Sequence, residues 1–181
     1  MADWYYLAAQ LPSFSTSADK APLPITSAQL SELCSRFFDK RSMRLLDGIS
    51  LEPPKTLEKT GSPVIDSWNE MENSLRTALA LARAQKLGRD FSAANPSIRP
   101  EAVQAARTAC GIDNPLAAEQ SLNEFRIDFL NRIAPVSLFS TESVFVYALK
   151  LKLAERARKF NEEAGMASYR TIYDGILGDA K

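Results

Sequence analysis

The chain of 181 residues contains no histidine. That absence excludes Ser-His and Cys-His nucleophile pairs, and with them the Glu-x-x-His motif by which helical bundles hold two irons. Cysteine is scarce: Cys34 and Cys110 lie far apart and form no CxxC pair, so they read as reduced, buried, small apolar residues. The 7 glycines are scattered at Gly48, Gly61, Gly88, Gly111, Gly165, Gly175 and Gly178, which leaves neither a P-loop nor a dinucleotide fingerprint. Net charge is missing too, because 22 Lys plus Arg offset 22 Asp plus Glu, whereas nucleic-acid binders carry a basic excess. The most apolar segment is interrupted by Glu142, Lys150 and Lys152, well short of the roughly 18 uncharged residues of a membrane helix. The opening MADWYYLAAQLP has Asp3 and no basic region, a poor secretory signal. These absences predict a cytoplasmic, non-catalytic protein with no cofactor, no metal site, no nucleic-acid partner and no direct membrane insertion.

What is present is helical periodicity. Ser62 to Gly88 reads as one long amphipathic helix around which the chain is organised: Ser62 caps, Pro63 suits the first helical position, and Gly88 can take the left-handed conformation at the end. Val64, Trp68, Met71, Leu75, Leu79 and Ala82, widened by Ala78, line one face. At 1.5 Å per residue this element is about 37 Å long, so other helices must lie alongside it. Asn114 and Pro115 repeat the cap-plus-proline signature and launch a second long helix with Ala118, Leu122, Phe125, Phe129 and Ile133 on one face. Ser140 or Thr141 caps a third. Its SVFVYALKLKL run alternates well enough to compete as a strand, but AERARKFNEEAG continues with strong helix formers to a stop at Gly165, which favours helix.

Shorter elements surround these. Trp4 to Leu11 is a short helix or a strand, and the span to Pro24 a loop. Thr26 and Gln29 form a capping box ahead of Leu30, Leu33, Phe37 and Phe38. Further short helices cover Arg41 to Asp47 and Glu101 to Cys110, and Tyr169, Ile172, Tyr173 and Ile176 mark a terminal one. Ser50 to Gly61 reads as an exposed connector, and Arg89 to Pro100 as a loop. All 10 prolines fall outside helix interiors, where each would cost on the order of 3 kcal/mol. The expected fold is all-α, a bundle of three long helices (about 63–87, 115–133 and 141–164) with shorter packing helices. It forms one domain over 1–181, within which 1–61 is a candidate small N-terminal lobe.

Candidate chemistry is sparse. Glu70, Glu72, Glu119, Glu124 and Asp128 could pair as general acid and base, but ion pairing is the simpler reading. Glu72 precedes Arg76 by four, the favourable order on a helix, and Arg76 and Arg83 flank the apolar face where Glu119 could meet one of them. Lys152, Arg156 and Lys159 make a basic row that could receive an acidic partner, although Glu155 and Glu162 offer nearby opposite charge. The trio Trp4, Tyr5 and Tyr6 is read first as an N-terminal segment pinned into the core and second as a docking patch. With the basic row it forms the candidate partner-contact set.

Four blocks carry a family resemblance: YYLAAQLPSF, WNEMENSLRTALALARAQKLG, PLAAEQSLNEFRIDFL and VYALKLKLAERARKFNEEAG. Together they resemble a bacterial family of unknown function encoded within operons for V/A-type ATPases. That family is similar to the C component of the V-type ATPase (called d in eukaryotes), an all-helical adaptor seating the central stalk on the membrane rotor ring. This adaptor is much longer than the present chain, so the resemblance implies either a reduced adaptor or an accessory factor of a proton- or sodium-translocating complex. It carries over no catalytic residue. The implied partners are central-stalk and membrane-ring subunits, reached from the cytoplasmic side of the inner membrane. The alternative is a free-standing regulatory module that binds a partner protein through the basic row.

Overall fold

A computed structural model describes residues 2–16, 22–90, 98–159, 166 and 168–174, with the side chains of 2–4 left out. Every regular element among the described residues is a helix: α1 (Ala2–Gln10), α2 (Ser27–Cys34), α3 (Lys40–Gly48), α4 (Pro63–Lys86), α5 (Pro100–Gly111), α6 (Pro115–Ile133) and α7 (Thr141–Arg158). Residues 168–174 are helical as well. The undecided opening segment is therefore α1, and the alternating SVFVYALKLKL run is helix.

The helix ends follow the local chemistry. Thr26 and Gln29 close a reciprocal capping box on α2, and Asp39 accepts from the Ser42 N–H at 2.8 Å to start α3. Ser62 caps α4 with Pro63 in the first turn, Asn114 caps α6 with Pro115 behind it, and Ser140, not Thr141, caps α7. Gly88 ends α4 at φ +63°, which a side chain would disfavour. The start of α5 departs from the expected pattern. Pro100 is inside the helix, and Arg99 before it offers no side-chain cap; instead its N–H is fixed by Ser74 Oγ of α4 at 2.7 Å. The expected stop at Gly165, the end of the third helix near 164, Pro96 and Ile176 lie outside the described residues.

α7 displaces α4 as the organising element. Val144, Phe145, Val146, Ala148, Leu149, Leu151, Leu153, Ala154 and Ala157 are all buried, and they point to every side of the helix. A helix apolar all round is one that others surround, and α7 packs on α2, α3, α4 and α6. The strand-like alternation is thus the signature of a central helix. α4 lies beside it in the same direction, since Glu142 at the start of α7 meets the start of α4 and Arg156 near its end feels the charges of Glu72 and Arg76 further along α4. α6 runs antiparallel to α7, because Glu119 reaches Arg156 while Asn131 reaches Lys150. α5 follows α4 in parallel, held at its start by Ser74 and at its end by Lys86 Nζ on the Cys110 carbonyl at 3.2 Å. Its buried residues Ala102, Ala106 and Ala109 are small and recur on one face, which allows the close approach.

One cluster of buried side chains takes in Leu7 of α1, Leu30 and Cys34 of α2, Leu46 of α3, Trp68, Met71 and Leu75 of α4, and Leu151 and Leu153 of α7. Residues before Gly61 therefore share their core with the long helices. Tyr147 OH donates to the Pro12 carbonyl at 2.8 Å, and Phe14 meets the Tyr147 ring edge-on, laying the chain after α1 along α7. The connector from Ser50 to Gly61 is fastened at both ends. Trp68 Nε1 donates to the Ser50 carbonyl at 3.1 Å, and Thr60 donates to Asp66 through both its N–H and its hydroxyl.

Candidate functional site: a polar cluster between the long helices

The apolar stripes of α4 and α6 each carry one charged residue inside them. Glu72 falls among Trp68, Met71 and Leu75, and Arg126 among Leu122, Phe129 and Leu130, so packing the stripes together buries both charges. Glu72 is 0% exposed and Arg126 5%. A buried charge must be paired and hydrogen-bonded, and this one is: Arg126 donates from Nε to Glu72 Oε2 at 2.8 Å and from Nη2 to Oε1 at 2.9 Å. Arg76 adds a bond from Nε to Glu72 Oε1 at 3.3 Å. This two-pronged geometry fixes direction as well as distance.

The cluster extends outward on the third nitrogen of Arg126. Nη1 reaches Glu119 Oε1 at 3.4 Å and Asn123 Oδ1 at 3.5 Å. Arg156 of α7 meets the same two acceptors, Glu119 at short range and Asn123 at 3.1 Å. Glu52 of the connector faces Arg76 at 3.8 Å. Three carboxylates thus meet three guanidinium groups, tying α4, α6, α7 and the connector together. One buried nitrogen in it, Arg156 Nε, has no hydrogen-bond partner. Burial lowers the Arg156 pKa; Glu72 and Glu52 oppose that shift, and Arg76 adds to it.

Glu119 therefore pairs with Arg126 and Arg156, not with Arg76 or Arg83 as expected; Arg83 stands exposed beyond the reach of the cluster. The other acidic candidates separate. Glu70 is held by Lys59 at 3.3 Å and Arg99 at 3.4 Å, while Glu124 and Asp128 are exposed. Among the described residues, no group of His, Cys, Asp and Glu is placed to hold a metal ion. Cys34 and Cys110 are free thiols; Cys34 is buried, which together with the nearby Asp47 pushes its pKa up to about 12.

The basic row is not one solvated face. Lys159 is exposed, Lys152 is half-buried, and Arg156 is turned into the cluster. Glu155 does not pair with Lys159: it accepts the N–H and the hydroxyl of Ser27 at 2.7 Å each, at the start of α2. Glu142 does the same for α4, accepting from Ser62 Oγ at 2.7 Å and the Val64 N–H at 3.1 Å. α7 thus places a carboxylate at the positive end of two neighbouring helices, where the free N–H groups and the helix dipole favour it.

The aromatic opening also divides. Leu7 is fully buried, whereas Tyr5 and Tyr6 are 60% and 65% exposed, so the rings do not enter the core as first expected. The Tyr5 ring meets that of Phe139 at a tilt, centroids 4.2 Å apart, in the loop between α6 and α7, where Val136 and Leu138 also stand exposed. The side chain of Trp4 lies outside the described residues. A second exposed apolar group is Tyr169, Ile172 and Tyr173 in the helical residues 168–174.

Residues 100–179 match the model of a family described as a protein of unknown function (DUF2764). That stretch holds α5, α6 and α7, hence Glu119, Asn123, Arg126, Arg156 and both helix-capping carboxylates, while Glu72 and Arg76 lie outside it. None of the curated proteins and none of the solved structures compared with the chain matches it. Among the described residues no helix is long and apolar enough to cross a membrane.

Proposed function

We propose that this chain is a non-catalytic helical component of a bacterial V/A-type ATPase, a reduced form of the stalk-to-ring adaptor or an accessory factor similar to it, acting between central-stalk and membrane-ring subunits at the cytoplasmic face of the membrane. The proposal starts from the four blocks that resemble the family encoded with such ATPases. Two of those blocks, at 115–130 and 146–165, fall within the stretch matched by the unknown-function family model.

The observation that carries the reading is the way the molecule divides its side chains. Its densest set of ionisable groups is spent on tying helices together, with both oxygens of Glu72 occupied by Arg126 and Arg76. Its large apolar groups at Tyr5, Tyr6, Val136 and Leu138 face outward. Exposed apolar patches of this kind mark protein contact sites, and a stiff frame beneath one suits a part that transmits force. Purification of the intact ATPase from its native source should recover the chain, and its deletion should uncouple hydrolysis from ion pumping. A complex that lacks the chain and pumps normally without it contradicts the proposal.

A further inference from the structure

Where the polar cluster reaches the surface, Leu51 and Glu52 of the connector and Lys152, Glu155, Arg156 and Lys159 of α7 line an open cleft of about 320 Å³. Both carboxylates in that lining are already engaged: Glu155 holds the N–H and hydroxyl of Ser27, and Glu52 faces Arg76 at 3.8 Å. Of the three cations, Arg156 is paired with Glu119 and the two lysines are not paired. Lys152 and Lys159 have no hydrogen-bond or ion-pair partner among the described residues. Arg156 is held through Nη2 alone, and its buried Nε has no acceptor. The cleft therefore gathers two unpaired ammonium groups beside a guanidinium that Glu119 and Asn123 hold on one nitrogen. A cation drawn partly out of water with a missing acceptor gains from an incoming anion.

The spacing says what kind of anion. Lys152, Arg156 and Lys159 follow each other at four and three residues, about 10 Å along the helix in all. That exceeds the reach of a single phosphate or carboxylate and suits two charged groups held a short distance apart. The volume lies at the low end for small-molecule sites, and a guanidinium beside ammonium groups is the usual recognition set for oxyanions.

We propose that this cleft binds a small molecule bearing two oxyanion groups, of the diphosphate or dicarboxylate class, between Lys152, Arg156 and Lys159. The inference stands on the cleft alone and does not require the rotary-ATPase reading.

Calorimetric titration of the purified full chain with pyrophosphate and with succinate, at constant ionic strength, tests it and separates the two sources of charge. At least one of them should bind with Kd below about 1 mM and about tenfold tighter than orthophosphate or acetate, respectively. The double variant Lys152→Gln/Lys159→Gln should weaken binding by at least roughly tenfold while leaving the unliganded melting temperature unchanged. Lys152→Arg/Lys159→Arg should retain binding, and Glu52→Gln should tighten it severalfold. No heat beyond that of sodium chloride at the same ionic strength overturns the proposal, as does binding that the double Gln variant leaves intact. Binding of a Glu-rich peptide through the same lysines, with neither small anion bound, assigns the cleft to a protein partner and equally overturns it.

Discussion

The seam between α4, α6 and α7 and the end of the molecule where α1 meets the α6–α7 loop reverse the usual arrangement of a folded protein. The seam is interior yet charged: Glu72 and Arg126 sit among leucines and aromatic rings. The end is exterior yet apolar, with Tyr5 tilted against Phe139 and Val136 fully exposed. The difference teaches where specificity resides. Replacing a buried ion pair by apolar residues of similar volume is often neutral or stabilising, so such a pair is a poor source of stability but a good selector of register. Here it joins α4 to α6 through both oxygens of Glu72. The exposed rings add little to folding, and under the proposed function they serve contact with another protein.

The largest expected effect comes from breaking the seam on one side. Glu72→Ala leaves the Arg126 guanidinium buried without its main partner and should cost about 3 to 5 kcal/mol in urea denaturation. Glu72→Met/Arg126→Met removes both charges and should cost far less than the sum of the two single changes. A single-variant cost below about 1 kcal/mol would show that water reaches the pair.

A smaller effect belongs to the carboxylates that α7 lends to other helices. Glu142→Ala should lose about 1 to 2 kcal/mol, with amide hydrogen exchange accelerating at Val64. Glu155→Ala should act on Ser27 in the same way and leave Val64 protected. Equal acceleration at both sites in either variant would mean that the two contacts are not local.

Acid acts more gently, on the contact that fastens the connector to α4. Burial alone would raise the Asp66 pKa, but the N–H and hydroxyl of Thr60, the Gly61 N–H and the Lys59 charge overcome it, so the folded value lies below the ordinary 3.8. A depressed folded value stabilises the protein fully above the unfolded pKa, and this stabilisation is lost as pH falls through the folded one. Stability should therefore drop as the pH is lowered below about 4, and Asp66→Asn should flatten that part of the curve. A variant with an unchanged acid slope would remove Asp66 from the account.

Much of this architecture is legible in the sequence. Ser62 with Pro63, Asn114 with Pro115, and Thr26 with Gln29 are local signals whose physics acts within one turn, and each helix starts where they stand. The polar cluster was only half legible. Glu72 with Arg76 is a pair within one helix, but Arg126 pairs with Glu72 across 54 positions, and no local rule supplies that distance. A signal was present all the same: Arg126 falls four after Leu122 and three before Phe129, a charged residue inside an apolar stripe and hence a candidate for burial. Glu142 and Glu155 left no such trace, since a carboxylate near the end of one helix does not say which other helix starts beside it. The centrality of α7 was disguised for a related reason: a helix apolar on every face loses the period that identifies an amphipathic one.

The patch closes the comparison with the smallest expected effect on folding and the largest on association. The variant Tyr5→Ser/Val136→Ser/Leu138→Ser removes exposed apolar groups only, so its unfolding free energy should stay within about 0.5 kcal/mol per site of the parent. The direct measurement is the recovery of stalk and ring subunits on tagged parent and tagged triple variant, side by side, from cells that make the ATPase. The parent should bring them down and the equally stable variant should not. Equal recovery by both, or none by the parent, would contradict the view that this molecule works by presenting its apolar end to a rotary machine.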